Sequence, residues 1–114
     1  MRDEHLTYTS KAGQRDGTMI VKLIGPLTLS TLFSFQEEFR TMKPRVLILD
    51  LTDSTYMDSA GLGLIMNYYV SAQNHGRNLF LTGVNERISA LLKLTNVQKI
   101  LGIFPTAEEA EASL

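Results

Sequence analysis

The sequence lacks cysteine and contains only two histidines, His5 and His75. Without thiols, a disulfide framework and a thiolate metal site are excluded. No apolar run approaches the roughly 18 residues of a transmembrane helix, and the N-terminal stretch MRDEHLTYTSK has no apolar signal-peptide core. Cytoplasmic localisation is therefore the expectation.

Positive charge is also scarce and scattered. The net charge is −1, the isoelectric point is about 6.1, and lysine and arginine form no block anywhere. Nucleic acids and anionic membranes require a basic surface, so neither is an expected partner. With 44% hydrophobic and 20% charged residues, the 114 residues have an average globular composition. We therefore expect a single domain over residues 1–114, long enough to fold without cross-links.

Three stretches are typical of β-strands. Leu6–Thr9 alternates apolar and polar side chains, which predicts a half-exposed strand. After a glycine-containing turn, the mostly apolar stretch Met19–Ile24 is expected to pair with it as an antiparallel hairpin. The unbroken apolar run Val46–Leu49 predicts a parallel strand, Val46–Leu51, that is covered on both faces.

Helical periodicity fills the intervals between the strands. Ser30 is interpreted as the N-cap of a helix, and a second helix is predicted over Ala60–Gln73. Apolar residues at spacings of three and four predict the buried stripe of each helix: Leu32, Phe35, Phe39 and Met42 in the first, and Leu62, Ile65, Met66 and Tyr69 in the second.

The C-terminal part continues the alternation. Strands are predicted at Leu79–Val84 and Ile100–Phe104, and Asn85 and Thr106 are placed to cap two further helices. The resulting order is ββαβαβαβα. Short loops between alternating strands and helices imply right-handed crossovers. We therefore predict an α/β domain with a mostly parallel sheet, about four helices and an antiparallel N-terminal strand at its margin.

The stretch TYMDSAGLGLI, residues 55–65, lies where a strand passes into a helix. Loops at the carboxyl ends of parallel strands collect functional groups, so Asp58 and Ser59 are expected near Thr28 at one edge of the sheet. Either Asp58 or Ser59 could simply cap the helix. Gly61 and Gly63 fit two interpretations equally, close packing at the helix start or a side-chain-free approach for a partner.

Enzymatic interpretations find little support here. A serine nucleophile needs a base within hydrogen-bonding reach, and His75 falls at the far end of the predicted helix. The GxSxG, GxGxxG and Walker patterns are all absent. Asp50, Asp53 and Asp58 could form a magnesium or phospho-aspartate site, although capping, turn formation and solvation are the more common uses of such residues.

The order of these motifs resembles the STAS family, specifically the bacterial anti-sigma-factor antagonists. The resemblance extends from about Leu6 to Ala110; MDSAGLGLI is its most specific part and GTMIVKLIG a weaker one. It implies the regulatory phosphorylation site at Ser59. It further implies a partner-binding surface formed by Thr28, Asp53, Met57, Asp58, Ser59, Ala60, Gly61, Leu62 and Gly63.

The resemblance also implies how the protein would act. Unphosphorylated protein would bind an anti-sigma factor that is also a serine kinase, and so free the sigma factor. Phosphorylation of Ser59 by that partner would end binding, and a serine phosphatase would restore it. The chain would then be a substrate and a switch rather than an enzyme, and it would need no cofactor or metal.

One departure favours a second interpretation. Pro26 and Thr28 of the GPLT run stand where the family commonly has acidic residues. The alternative is a STAS module that is not phosphorylated, and that senses a small ligand or assembles into a regulatory complex. A small nucleotide-binding or hydrolytic enzyme is the third possibility, and the missing base, lysine and metal cluster count against it.

Overall fold

A mixed five-stranded sheet organises the chain. The computed structural model describes residues 5–114; the first four residues, part of the stretch examined for a signal peptide, lie outside this range. The spatial order of the strands is β1-β2-β3-β4-β5. The strands are β1 (Thr7–Ala12), β2 (Thr18–Ile24), β3 (Val46–Asp53), β4 (Asn78–Thr82) and β5 (Gly102–Phe104).

The helices connect the strands in the predicted order. Strand β1 is an edge strand antiparallel to β2, and the remaining neighbours are parallel. The ββαβαβαβα prediction is therefore confirmed. The described helices are α1 (Phe33–Thr41), α2 (Ser59–Asn74), α3 (Glu86–Leu94) and α4 (Ala107–Ala112), with a 3-10 turn at Val97–Lys99.

Both faces of the sheet are covered, one by a large hydrophobic core and the other by a small one. Side chains alternate along β3, so Leu47 and Leu49 join the large core under α1, α2 and α3, whereas Val46 and Ile48 join a small core under α4. All four are at most 7% exposed, which confirms the prediction of a strand covered on both faces. Within residues 5–114, none of the helices is long and apolar enough to cross a membrane.

The predicted starts of α1 and β5 are wrong, and β4 ends at Thr82 rather than at the predicted Val84. Helix α1 begins at Phe33, not after Ser30, and its N-cap position, Leu32, provides no side-chain hydrogen bond. An extra turn precedes it, in which the Thr31 hydroxyl accepts from the Thr28 N–H at 2.9 Å and donates to the Pro26 carbonyl. Strand β5 starts at Gly102 and leaves Ile100 exposed, because a 3-10 turn occupies the residues just before it.

The buried stripe of α2 differs partly from the prediction. Leu62 and Ile65 are buried as expected, whereas Met66 and Tyr69 are only partly buried. Tyr68 and Ala72 take the inner positions instead. The Tyr68 ring stacks on Phe39 of α1 with a centroid distance of 4.4 Å. The buried face of α2 is therefore turned toward α1, compared with the face that the sequence predicted.

We expect alkaline pH to destabilise the protein partly through Tyr68. Its hydroxyl donates to the Met42 carbonyl at 2.8 Å, and burial raises the pKa of Tyr68 above its usual value of 10.0. The unfolded chain therefore loses this proton first as the pH rises, so stability falls above about pH 10. Urea unfolding of wild type and Tyr68→Phe across this pH range measures the difference.

Tyr68→Phe keeps the ring and removes the titrating group. At neutral pH we expect it to cost about 1 kcal/mol for the lost hydrogen bond. Above pH 10 its stability should decline less steeply than that of wild type. Parallel declines of the two proteins would contradict a contribution from Tyr68.

Candidate functional site

Ser59 is the first residue of α2, and its side chain is exposed to solvent. The residue before it, Asp58, has the extended backbone of an N-cap, and its Oδ1 accepts from the Gly61 N–H at 2.9 Å. Of the two residues that the sequence allowed as caps, Asp58 is therefore the one that caps. The Ser59 hydroxyl has no hydrogen-bond partner within residues 5–114, so it is free to react with an incoming group.

Asp58 also connects two loops. Its Oδ2 accepts from the Leu29 N–H at 3.0 Å, while the Asp58 N–H donates to the Leu27 carbonyl at 3.3 Å. Leu27 in turn pairs with Met57 in an isolated parallel bridge. The β2–α1 loop and the start of α2 are thus held together as one unit, which we call the Ser59 corner: residues 27–31 and 56–63.

Thr28 lies at the same corner, as predicted from the shared edge of parallel strands. It precedes Leu29, which is bonded to Asp58. Its side chain is 7% exposed, and its hydroxyl lies 3.0 Å from the Ser30 hydroxyl. The hydroxyl of Thr28 therefore supports the turn between β2 and α1, and it offers a partner little surface.

Gly61 and Gly63 occupy different environments. A Cβ on Gly61 would lie 2.9 Å from the Leu27 Cγ and closer still to the Leu27 carbonyl oxygen. A Cβ on Gly63 would meet nothing within 4 Å, and this residue is exposed. Close packing therefore explains Gly61, whereas Gly63 leaves an open, side-chain-free surface one turn after Ser59.

The three aspartates of this region have separate partners. Asp53 forms an ion pair with Lys22 at 3.0 Å, and this hydrogen-bonded carboxylate raises the pKa of Lys22. Asp50 accepts from both the N–H and the hydroxyl of Thr52. Asp58 caps α2. In the part of the chain that the structure describes, no three His, Asp or Glu side chains converge on a possible metal position.

The residues predicted to bind a partner differ in accessibility. Asp53, Ser59 and Gly63 are exposed, and Asp58 and Ala60 are half-buried. The remaining four are buried in or against the core: Thr28, Met57, Gly61 and Leu62. A partner would therefore contact the exposed and half-buried residues directly, while the four buried residues support that surface from beneath. The binding roles of all nine remain predictions.

Asn85 supports this corner in a way that the sequence did not reveal. Its Oδ1 caps α3 by accepting from the Ile88 N–H, as predicted. Its Nδ2 also donates to the carbonyls of Ser54 and Thr55, at 3.3 and 3.2 Å. The cap of α3 thereby holds the β3–α2 loop. Only the cap role has a local sequence signal, because the second contact spans about thirty residues.

Two exposed apolar residues, one in this corner and one just after it in α1, were also missed. Leu29 and Phe33 are 60% and 67% exposed. Both lie outside the predicted buried stripe of α1. An apolar residue outside that stripe was the sequence signal that could have identified them as exposed.

A family model for the STAS domain matches residues 10–110 of the sequence. The chain belongs to the STAS domain family. The family suggested by the MDSAGLGLI stretch is thus confirmed.

Two proteins similar to this STAS domain are named as anti-sigma factor antagonists. An anti-sigma-B factor antagonist from Staphylococcus aureus is 28% identical over 86 residues, which are 73% of this chain and 80% of that protein. The crystal structure of an anti-sigma factor antagonist from Mycobacterium paratuberculosis has a TM-score of 0.84 at 18% identity, covering 95% of this chain and 92% of that chain.

A third similar structure is that of the Bacillus cell fate determinant SpoIIAA in its phosphorylated form. Its TM-score is 0.72 at 15% identity, and the match covers 94% of this chain and 98% of that chain. At identities this low, the two structures establish the shared fold. By name, the Staphylococcus aureus protein and the Mycobacterium paratuberculosis structure are anti-sigma factor antagonists, and the Bacillus structure is a cell fate determinant.

Proposed function

We propose that this STAS domain is an anti-sigma-factor antagonist controlled by phosphorylation of Ser59. The unphosphorylated form binds an anti-sigma factor that is also a serine kinase, and thereby frees the sigma factor. Phosphorylation by that kinase ends binding, and a serine phosphatase restores it. In this proposal residues 1–114 act as one domain in the cytoplasm, as a substrate and switch without catalytic activity.

The observation that carries the proposal is the state of the Ser59 hydroxyl. It is exposed, it makes no hydrogen bond within residues 5–114, and it is not needed to cap α2 because Asp58 does so. The imidazole of His75, just beyond the other end of α2, contacts the Ser71 carbonyl at 2.8 Å. A hydroxyl that is accessible but has no base beside it suits a reaction in which another protein supplies the catalysis.

The start of α2 can accept a phosphate without unfolding. Free N–H groups and the positive end of the helix dipole favour an anion there. The phosphate adds about −1.5 to −2 charges. A partner surface fitted to the neutral hydroxyl would then have to accommodate a dianion beside Asp58. Such a mismatch can cost several kcal/mol, which is enough to end binding.

The test uses anti-sigma factor kinases encoded by the same genome. Each is incubated with the purified domain and ATP, and intact-mass analysis then counts the phosphates. We expect one phosphate on wild type and none on Ser59→Ala. Isothermal titration calorimetry should show at least about a 100-fold loss of affinity on phosphorylation, corresponding to roughly 3 kcal/mol.

Ser59→Ala and Ser59→Asp separate the switch from any structural role. Because Asp58 provides the cap, Ser59→Ala should stay within about 0.5 kcal/mol of wild type in stability, bind the kinase and resist inactivation. Ser59→Asp should fold, because an acid is favourable at a helix start, and bind more weakly. Equal affinities of wild type and verified phospho-Ser59 protein would refute the proposed switch.

A second candidate function, ligand sensing, is favoured by a groove between α1 and α2. Its volume is about 220 Å³. Its lining includes two arginines and no acidic residue, and Arg40 also forms an ion pair with Glu37. Such a lining suits a small ligand that has an anionic group and an apolar body. The lining residues are Gln36, Phe39, Arg40, Leu64, Asn67, Tyr68, Ser71 and Arg77. Intact-mass analysis of protein from its native cells distinguishes the two functions, because a sensor would carry no phosphate on Ser59.

A further inference from the structure

Arg87 lies in the first turn of α3 and is held against the loop that leads to Ser59. The Cζ atom of its guanidinium group lies over the Tyr56 ring, 4.7 Å from the ring centroid. Tyr56 belongs to the Ser59 corner, and its Cα atom can be at most about 11 Å from that of Ser59, three residues later. The Tyr56–Arg87 pair therefore places a cation at the margin of the corner.

Hydrogen bonds fix the start of α3 to the same loop. The side chain of Asn85, the N-cap of α3, donates to the carbonyls of Ser54 and Thr55 at 3.3 and 3.2 Å. The ring of the next residue, Tyr56, then supports the guanidinium group of Arg87 directly. Arg87 is thus held by its own helix and by an aromatic ring, so a partner that binds it has less side-chain freedom to remove.

Arg87 is exposed, and it has no carboxylate partner among residues 5–114. Both ion pairs found in that range involve other cations. The residues three and four positions further along α3, Ala90 and Leu91, are uncharged, and Glu86 lies roughly 100° away around the helix axis. A free guanidinium group can form two parallel hydrogen bonds with one carboxylate, so Arg87 can accept an acidic group from another protein.

We propose that Arg87 is a docking residue for the anti-sigma factor kinase, and that it binds an acidic side chain on the surface of that kinase. This inference rests on the proposed function and specifies one contact of its partner. Tyrosine and arginine are among the residue types that contribute most to binding at protein interfaces. The Tyr56 ring is 39% exposed, so the same acidic segment of the kinase would cover the ring and the guanidinium group together.

The charge of Arg87 also suits the phosphorylation of Ser59. The kinase must bring the phosphates of ATP to the Ser59 hydroxyl, next to the carboxylate of Asp58. Asp58 is the only charged residue of the Ser59 corner, so this approach brings like charges together. A cation at the margin of the corner reduces that repulsion and attracts an acidic kinase surface, and salt screens both effects.

The experiment uses the anti-sigma factor kinase that phosphorylates Ser59, and it measures initial rates over a range of domain concentrations at saturating ATP. Arg87→Ala should raise the KM for the domain about tenfold and change kcat by less than about twofold, because a docking contact stabilises the bound domain and the transition state equally. Titration calorimetry with the unphosphorylated domain should show a matching loss of affinity of about tenfold.

Lys93→Ala is the matched control for Arg87→Ala. It removes a positive charge from an exposed residue near the other end of α3. Its KM and its affinity should equal those of wild type. Arg87→Lys should recover only part of the affinity, because an ammonium group keeps the charge but cannot form the paired hydrogen bonds of a guanidinium group. All three variants should unfold in urea at about the wild-type concentration, because the replaced side chains are exposed.

Salt supplies a second measurement of the same contact. Raising the salt concentration from about 0.05 to 0.5 M should weaken the binding of wild type more than the binding of Arg87→Ala, since only wild type has the ion pair to screen. The same salt dependence for the two proteins would overturn an ion pair at Arg87.

The remaining outcomes separate this inference from the proposed function. If the kinase binds and phosphorylates Arg87→Ala as it does wild type, the docking role is wrong and the Ser59 switch stands. If Arg87→Ala lowers kcat at an unchanged KM, the guanidinium group acts on the transferring phosphate and not on an acidic side chain, which also overturns the proposal. If no anti-sigma factor kinase phosphorylates wild type, the proposed function fails, and the docking role fails with it.

Discussion

Phe39→Ala is expected to lower the free energy of unfolding by about 3 to 5 kcal/mol. Phe39 is 1% exposed and lies between two aromatic rings, 4.8 Å from Phe35 and 4.4 Å from Tyr68. Truncation would remove both ring contacts and leave a cavity between α1 and α2. Because a domain of this size is stable by about 5 to 15 kcal/mol, the loss would be a large share of the total.

Phe33→Ala is the matched control for Phe39→Ala. It makes the same chemical change on the same helix, at a residue that is 67% exposed. We expect its stability to stay within about 0.5 kcal/mol of wild type. Urea unfolding followed by circular dichroism measures both variants. Similar losses for the two would contradict the assignment of the inner and outer faces of α1.

Gly61→Ala is expected to cost about 1 to 3 kcal/mol, by overpacking. The added methyl group would collide with Leu27, and the backbone of Leu27 cannot easily retreat. Its N–H donates to the Tyr56 carbonyl at 2.9 Å, and its carbonyl accepts from the Asp58 N–H. A shift of Leu27 would therefore also disturb the Ser59 corner, so we expect weaker binding of the anti-sigma factor together with the loss of stability.

Gly63→Ala should have the opposite effect on stability. No heavy atom would lie within 4 Å of the new methyl group, and alanine is favoured over glycine inside a helix by up to about 1 kcal/mol. Urea unfolding should therefore show a modest gain for Gly63→Ala beside the loss for Gly61→Ala. A gain for both would refute the close approach of Leu27 to Gly61. Weakened binding by the stabilised Gly63→Ala variant would identify Gly63 as part of the contact surface.

Much of the fold follows from local patterns in the sequence. The apolar run at Val46–Leu49 and the stripe at Leu32, Phe35 and Phe39 specify which side chains must leave water. Spacings of three and four indicate the helix, whereas the short length of the run indicates the strand. Asn85 and Thr106 cap their helices as predicted because capping depends on residues three positions apart. The same reasoning failed for Ser30, since the hydroxyl that forms the preceding turn belongs to Thr31.

The position of Ser59 at the start of a helix was also determined by the sequence itself, through the strand that precedes it and the MDSAGLGLI stretch. The tertiary structure decided which residue caps, which glycine is packed and which apolar side chains stay in solvent. The contacts that join the loops of this region link atoms about thirty residues apart in the sequence: the Leu29 N–H with Asp58, the Leu27 carbonyl with Gly61, and the Ser54 carbonyl with Asn85. Local patterns cannot encode such contacts, because they form only when the parallel strands bring their carboxyl-end loops together at one edge of the sheet.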